Sequence, residues 1–301
     1  GLAGLCVTDH YDCDEIPAFC TLENLRGAKA ALEPLREEYA GRLELLRGVE
    51  LAQGVMCPNE AREALALTDY DYVLGSVHAG RWREDYYWMD SQTPPHPLPV
   101  LIREYFENCL AVARWDQVDA LAHLGYLKRY AIRDGVTLDY TPYDDLIDEI
   151  LRTLIATGKA LEVNTSGFRY GLPEWIPGIE IWRRYRAMGG ELVTIGSDAH
   201  RPEDIGAGHK EAQRMLRELG FTRFDVSLAG MGGCPVIPNA KGNIPTEDFV
   251  NLLHKMDIGC GIDLDRCTVA SLDMSRRIGA PVISSMVGNT LLKQDASPLP
   301  C

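Results

Sequence analysis

The chain has no run of about eighteen apolar residues, so no segment is expected to cross a bilayer as a helix. Positive charge is scarce: 30 Lys and Arg face 44 Asp and Glu, giving a net charge of -14 and a pI near 5.0. That balance argues against a nucleic-acid or anionic-membrane surface, which needs a basic face. No apolar stretch behind a basic start opens the chain, so no secretory leader is expected. The nine cysteines include no Cys-x-x-Cys pair and no dense framework. A reducing cytoplasm fits that usage. Cys6, Cys13 and Cys20 recur every seven residues; the spacing reads as coincidence, with Cys6 a buried strand residue. What is present is 46% hydrophobic and 25% charged residues, enough core for one large or two ordinary domains.

One stretch organises the rest. Ser197-Asp198-Ala199-His200 closes the apolar run Leu192 to Gly196, and short apolar runs read as buried strands. In an extended chain residues i and i+2 point the same way, so Asp198 and His200 are expected to face one centre. Oxygen and nitrogen donors together suit Zn, Mn or Fe better than Ca. Alone, the pair is weak evidence and reads more readily as a satisfied loop contact.

Other strand ends finish alike. Apolar runs lead to His10, Glu50, His78 and His123, and Ala160 to Val163 leads to Asn164. Helical spacing is expected over Leu22 to Tyr39, Asn59 to Leu67, Leu101 to Trp115, Tyr143 to Thr157, Glu174 to Met188 and Pro202 to Leu219. Strict β-α alternation predicts parallel strands joined by crossover helices. Ligands gather at the carboxyl ends of such strands, where His10, Glu50, His78, His123, Asp198 and His200 fall. An aromatic insertion, Arg81 to Pro99, follows one strand end and reads as a lid or a substrate-contacting loop.

Thr8-Asp9-His10, Gly48-Val49-Glu50, Gly75-Ser76-Val77-His78, Ala122-His123-Leu124 and Ser197 to His200 resemble the ordered motifs of the PHP (polymerase and histidinol phosphatase) family. Asp71 to His78, the aromatic insertion and Ala160 to Gly167 resemble its histidinol-phosphatase branch. The resemblance covers about residues 1–223. It implies an α/β fold, a distorted (β/α) barrel with up to three divalent metals, and phosphomonoester hydrolysis. By that resemblance Glu50 bridges two metals, His78 and His123 complete one site, Asp198 serves the other, and His10 and His200 hold a third. Arg201 is the candidate phosphate clamp, since a guanidinium can grip two oxygens at once; it reads equally as a surface arginine before Pro202. The family's first strand carries a His-x-His pair that this sequence does not contain. The chain therefore reads as missing that strand, with one metal site incomplete.

From Asp225 the character changes. Gly232-Gly233-Cys234-Pro235 and Gly242-Asn243, followed by Thr246-Glu247-Asp248, resemble the C-terminal part of hydroxymethylglutaryl-coenzyme A lyase. That likeness implies a loop cysteine, Cys234, a metal ligand, Asn243, and a βα extension over 224–301. Without its parent barrel the segment is expected to pack poorly, and Phe224-Asp225 reads as a join between two families.

The leading expectation is a metal-dependent phosphatase acting on L-histidinol phosphate in histidine biosynthesis, with Glu50, Asp198 and His200 catalytic. A small phosphomonoester is its partner; nucleic acid and membrane are not. The alternatives are a non-catalytic PHP-like module or inactive fusion, and a carbon–carbon lyase run by the tail. If the leading reading holds, Glu50, His78, His123, Asp198 and His200 converge on one pocket that His10 reaches from its edge. The insertion from Trp82 to Trp88 then hangs over the mouth, while His96, His209 and His254 lie off the centre.

Overall fold

The computed structural model describes residues 4–15, 20–39, 44–81, 85–221, 246–255 and 260–278. Two compact units result: one of Cys6–Leu32 with Arg47–Thr222, the other of Gly1–Leu5, Glu33–Leu46 and Arg223–Cys301.

Six strands form one sheet in sequence order: β1 (Gly4–Asp12), β2 (Glu44–Ala52), β3 (Tyr72–Ser76), β4 (Ala120–Leu121), β5 (Ala160–Asn164) and β6 (Val193–Gly196). From β2 to β6 every adjacent pair is parallel. The sheet is curled. The Tyr72 hydroxyl of β3 reaches Thr194 Oγ1 of β6 at 3.3 Å, although two strands lie between them in the sheet. This curled half-barrel agrees with the barrel-like α/β sheet expected from the alternation.

Helices α1 (Leu22–Glu38), α2 (Pro58–Leu65), α3 (Leu98–Arg114), α4 (Leu127–Arg133), α5 (Asp144–Thr157), α6 (Ile179–Ala187) and α7 (His209–Glu218) supply the connections. In α5 the residues Ile147, Ile150, Leu151 and Leu154 are buried at helical spacing, each worth about 1.5–3 kcal/mol of apolar transfer. Gly158 then ends the helix at φ 68°, with Lys159 N–H donating back to Leu154 O at 2.9 Å. The close packing of α3 on the sheet depends on Gly75. A Cβ there would sit 2.6 Å from Val112 of α3 and 2.9 Å from Val118.

Three expectations change. Helix α6 begins at Ile179, not Glu174, because Ile176 is engaged in two backbone hydrogen bonds with Asn164. The last helix of this unit is interrupted: a 3-10 turn at Pro202–Asp204 precedes Gly206 and Gly208, both at positive φ, and only then does α7 start. Cys6 is half-buried rather than buried.

The other unit holds α8 (Thr246–Lys255) and α9 (Leu264–Ile278), which pack together. Ser271 Oγ donates to Glu247 Oε2 at 2.7 Å between them. Cys234 and Asn243 lie outside the described residues.

Candidate metal centre

The curl brings the expected donors together. Glu50, 6% exposed, places Oε1 3.1 Å from Nε2 of His78 and 3.1 Å from Nε2 of His123. Its Oε2 lies 3.6 Å from His10 Nδ1. The far side of the His10 ring faces His200, Nε2 to Nε2 at 3.2 Å. His200 Nδ1 is 3.4 Å from Asp198 Oδ1. All six candidates thus form one connected cluster. Within it, His10, Glu50 and His78 form one group, and His10, Asp198 and His200 another, with ligand atoms inside 4.8 Å of each other.

The donor set fits a cation. His78 Nε2 and His123 Nε2 face each other at 3.4 Å, as His10 and His200 do at 3.2 Å. Facing imidazole nitrogens can share one proton at most, since two N–H groups would collide. A positive ion among the lone pairs, with carboxylate oxygens beside them, satisfies every donor atom at once.

Electrostatics within the cluster are divided. Burial alone would raise the Glu50 carboxyl, but His10, His123 and His78 hold it well below the usual carboxylate range. Burial lowers His78, yet Asp12 and Glu50 outweigh it and push the imidazole well above its ordinary value. His123, also buried, is lowered. Desolvation also works against the Asp198 carboxylate, which the Arg129 guanidinium keeps below its ordinary value.

Two backbone conformations aim these side chains. His123 lies just beyond β4 at φ 23°, and Asp198 just beyond β6 at φ 50°. The second corrects the extended i, i+2 reading: Asp198 turns into the left-handed region, and its carboxylate is held by Arg129 and by Ser166 Oγ at 3.2 Å. His123 N–H donates to Glu162 Oε2 at 2.8 Å. Glu162 fits only because residue 196 is glycine, where a Cβ would meet Oε1 at 2.0 Å. Burial, then the Glu50 charge, push the Glu162 carboxyl up to about 8.

Several supporting residues were not anticipated from the sequence: Asp12, Gln53, Arg129, Glu162, Ser166 and Arg169. Asp12 stands two residues beyond His10 on β1 and brackets His78 Nδ1 at 3.1 and 3.3 Å. Glu162 and Ser166 lie in the stretch from Ala160 to Gly167 that the sequence singled out without giving them a role.

A cavity of about 860 Å³ opens onto the cluster, lined by His10, His78, His123, Asp198 and His200. Arg129, Arg169 and Arg201 bring positive charge to the same cavity. Tyr87 and Trp88 of the insertion also line it, while Tyr86 is buried beneath and Trp82 lies outside the described residues. His96 and His209 are absent from its lining. His254 instead approaches Cys260 Sγ at 3.9 Å.

A curled parallel sheet with a histidine–carboxylate cluster able to hold a metal ion defines an α/β half-barrel with a candidate metal centre. More particularly, the chain belongs to the PHP domain family, which its residues 1–166 match. It is 33% identical over 226 residues to a probable histidinol-phosphatase of Thermotoga maritima, covering 73% of this chain and 81% of the relative. A probable histidinol-phosphatase of Deinococcus radiodurans is 31% identical over 224 residues, covering 73% and 83%. The fold is similar to that of histidinol phosphate phosphatase from Lactococcus lactis, solved with Zn, L-histidinol and phosphate. The TM-score is 0.59 at 22% identity, over 74% of this chain and 84% of that one. A minor part of the chain is similar to a hydroxymethylglutaryl-CoA lyase of Bacillus subtilis, 39% identical over 67 residues, covering 22% of each.

Proposed function

We propose that this chain is a metal-dependent phosphomonoesterase that hydrolyses L-histidinol phosphate to L-histidinol and phosphate, a step of histidine biosynthesis. The convergence of six donor side chains in one connected cluster, five of them lining one cavity, carries the reading, and the names borne by its relatives support the substrate.

Glu50, His78 and His123 would hold one ion, Glu50 and Asp198 a second, and His10 with His200 a third. Bound divalent ions, two or three of Zn, Mn or Fe, supply Lewis acidity that neutralises phosphoryl charge and lowers the pKa of water toward neutrality. The chain's own residues set the rest. Glu50 stays ionised at neutral pH because three imidazoles surround it. Arg129 keeps Asp198 ionised and fixes its direction together with Ser166. Arg169 is held by the carbonyls of Ser197 and Asp198 at 3.1 and 2.6 Å, so its positive charge stands at the cavity wall. Arg201, on the same wall, is the group we assign to grip the phosphoryl oxygens. The cavity mouth receives the alcohol half of the substrate beside Tyr87 and Trp88.

We read residues 1–223 as the phosphoesterase domain and 224–301 as a lyase-like segment. A cytoplasmic setting is supported by the free thiols of all seven described cysteines. Among the described residues no helix is long and apolar enough to cross a membrane.

Phosphate release from L-histidinol phosphate, measured with Zn or Mn present, tests the assignment. Turnover that exceeds that of a simple aryl phosphate supports it. No release from either ester, by a folded and metal-loaded chain, overturns it.

A further inference from the structure

Gln53 sits one residue past β2, is 1% exposed and has φ 54°. A non-glycine residue in that region is strained, and persists there when its surroundings over-determine it. Here the surroundings are specific. The side-chain nitrogen donates to Asp12 Oδ2 and to Asp14 Oδ1, both at 3.2 Å, and the side-chain oxygen accepts the main-chain N–H of His78 at 2.9 Å. The amide orientation follows from these partners: two carboxylates need donors, and an N–H needs an acceptor. Only an amide satisfies both ends. A carboxylate there would oppose Asp12 and Asp14, and an apolar chain would leave the buried Asp12 carboxylate, the half-buried Asp14 and the His78 N–H without this partner.

The contacts reach the metal cluster twice. Gln53 grips the His78 backbone directly, and it steadies Asp12, whose two oxygens meet His78 Nδ1. With Nδ1 committed to Asp12, Nε2 is turned to Glu50. Asp12 shares β1 with His10, Gln53 follows Glu50 on β2, and His78 follows β3. One amide therefore ties the ends of the three strands that carry His10, Glu50 and His78. It does not line the cavity.

We propose that Gln53 is a positioning residue of the metal centre: its amide sets the direction of His78 Nε2 by locking the His78 backbone and the Asp12 carboxylate together. The functional consequence rests on the phosphatase reading; the geometric one does not.

The test uses the full chain with Gln53→Met and Gln53→Glu, and Gln117→Met as an exposed control. In metal-free protein, the His78 main-chain and Nδ1 protons should be exchange-protected in the parent and unprotected in both Gln53 variants. Affinity for Zn, by competition with a chromophoric chelator, should fall about 10–100-fold, the usual scale for losing an outer-shell partner. The rate constant for phosphate release should fall with it, while KM moves less than about threefold. If Gln53→Glu does not fold, Gln53→Met decides alone, because it keeps the length and shape. Folded Gln53→Met that keeps His78 protection and Zn affinity overturns the proposal. An inactive parent whose His78 protons still depend on Gln53 would instead overturn the phosphatase reading and leave Gln53 in its role.

Discussion

Arg129 and Asp198 form a buried ion pair across 69 residues of sequence, with side chains 5% and 9% exposed. The guanidinium also lies 4.0 Å from the centroid of the Tyr170 ring and bonds Ser166 Oγ at 3.1 Å. Removing one partner of such a pair leaves an uncompensated buried charge, which costs about 3–5 kcal/mol. Arg129→Met should therefore lower the urea midpoint of the metal-free chain substantially. Arg129→Lys should fall between the two, because it restores charge without the flat fork that stacks on Tyr170. Equal midpoints for Met and parent would show that Asp198 does not depend on Arg129.

Glu50 is the oxygen donor that touches three imidazoles, so its charge is the centre's counterweight. Glu50→Gln keeps the shape and removes the charge. Phosphate release should drop by about 10²–10³-fold or more, the scale of losing one oriented electrostatic group. Bound Zn, measured by elemental analysis after gel filtration, should fall as well. Retention of full metal content with full activity would exclude Glu50 as a ligand.

Metal removal should leave the sheet folded and the activity absent. After dialysis against a chelator, the far-ultraviolet circular dichroism should be preserved and phosphate release lost. Added Zn or Mn should restore release and raise the unfolding free energy by about 2.7 kcal/mol at a hundredfold excess over Kd. Activity that survives exhaustive chelation would contradict the assigned chemistry.

The six donors were legible in the sequence because each follows a short apolar run and the parallel alternation says where such runs meet, although β1 and β2 continue two residues past His10 and Glu50 instead of ending there. Their supports were not. Gln53 meets His78, Glu162 meets His123 and Arg129 meets Asp198 only through sheet register and curl, which no local pattern encodes. Helix α4, which carries Arg129, is seven residues long and begins soon after His123, too short to announce itself by periodicity. Asp198 meets His200 by a different route from the one expected: its positive φ replaces the extended alternation that the Asp-x-His spacing implied. Helix α6 shows the opposite failure, where helical composition from Glu174 was overridden by the backbone pairing of Ile176.

Trp88 is 64% exposed, stands edge-on to Tyr87 at 4.5 Å and lines the cavity. Under the proposed reading it would meet the organic half of the substrate, since it is not among the donor cluster. Trp88→Ala should raise KM for L-histidinol phosphate about 2–5-fold, matching an exposed cation–π contact of about 0.5–1 kcal/mol. The kcat and the unfolding midpoint should stay near the parent values. A change in kcat without one in KM would place Trp88 elsewhere in the reaction.

Acid should loosen the insertion. Arg133 donates to the carbonyls of Tyr87 and Met89 at 2.6 and 2.8 Å and to Asp134 at 2.7 Å, while Asp134 accepts the Ser91 N–H at 2.9 Å. The Asp134 carboxyl is held below its ordinary range, first by Arg133. A depressed folded-state pKa adds stability that is present above the unfolded value, about 3.9, and is lost as pH falls through the lower folded value. Asp134→Asn should therefore unfold more easily than the parent at pH 7, with the gap closing in strong acid. A gap that stays constant from pH 7 down to strong acid would remove Asp134 from this role.

The six cluster donors come from six chain positions, His10 on β1, Glu50 on β2 and the others just beyond the ends of β3, β4 and β6, with only Asp198 and His200 close neighbours in sequence. The connections between these positions are free to lengthen, because no donor hangs on the length of a loop. The insertion after β3 shows what this permits: a whole aromatic segment is accommodated between His78 and His123 while both imidazoles still reach Glu50. In such an architecture the reacting end can be inherited unchanged while the substrate-facing end diversifies.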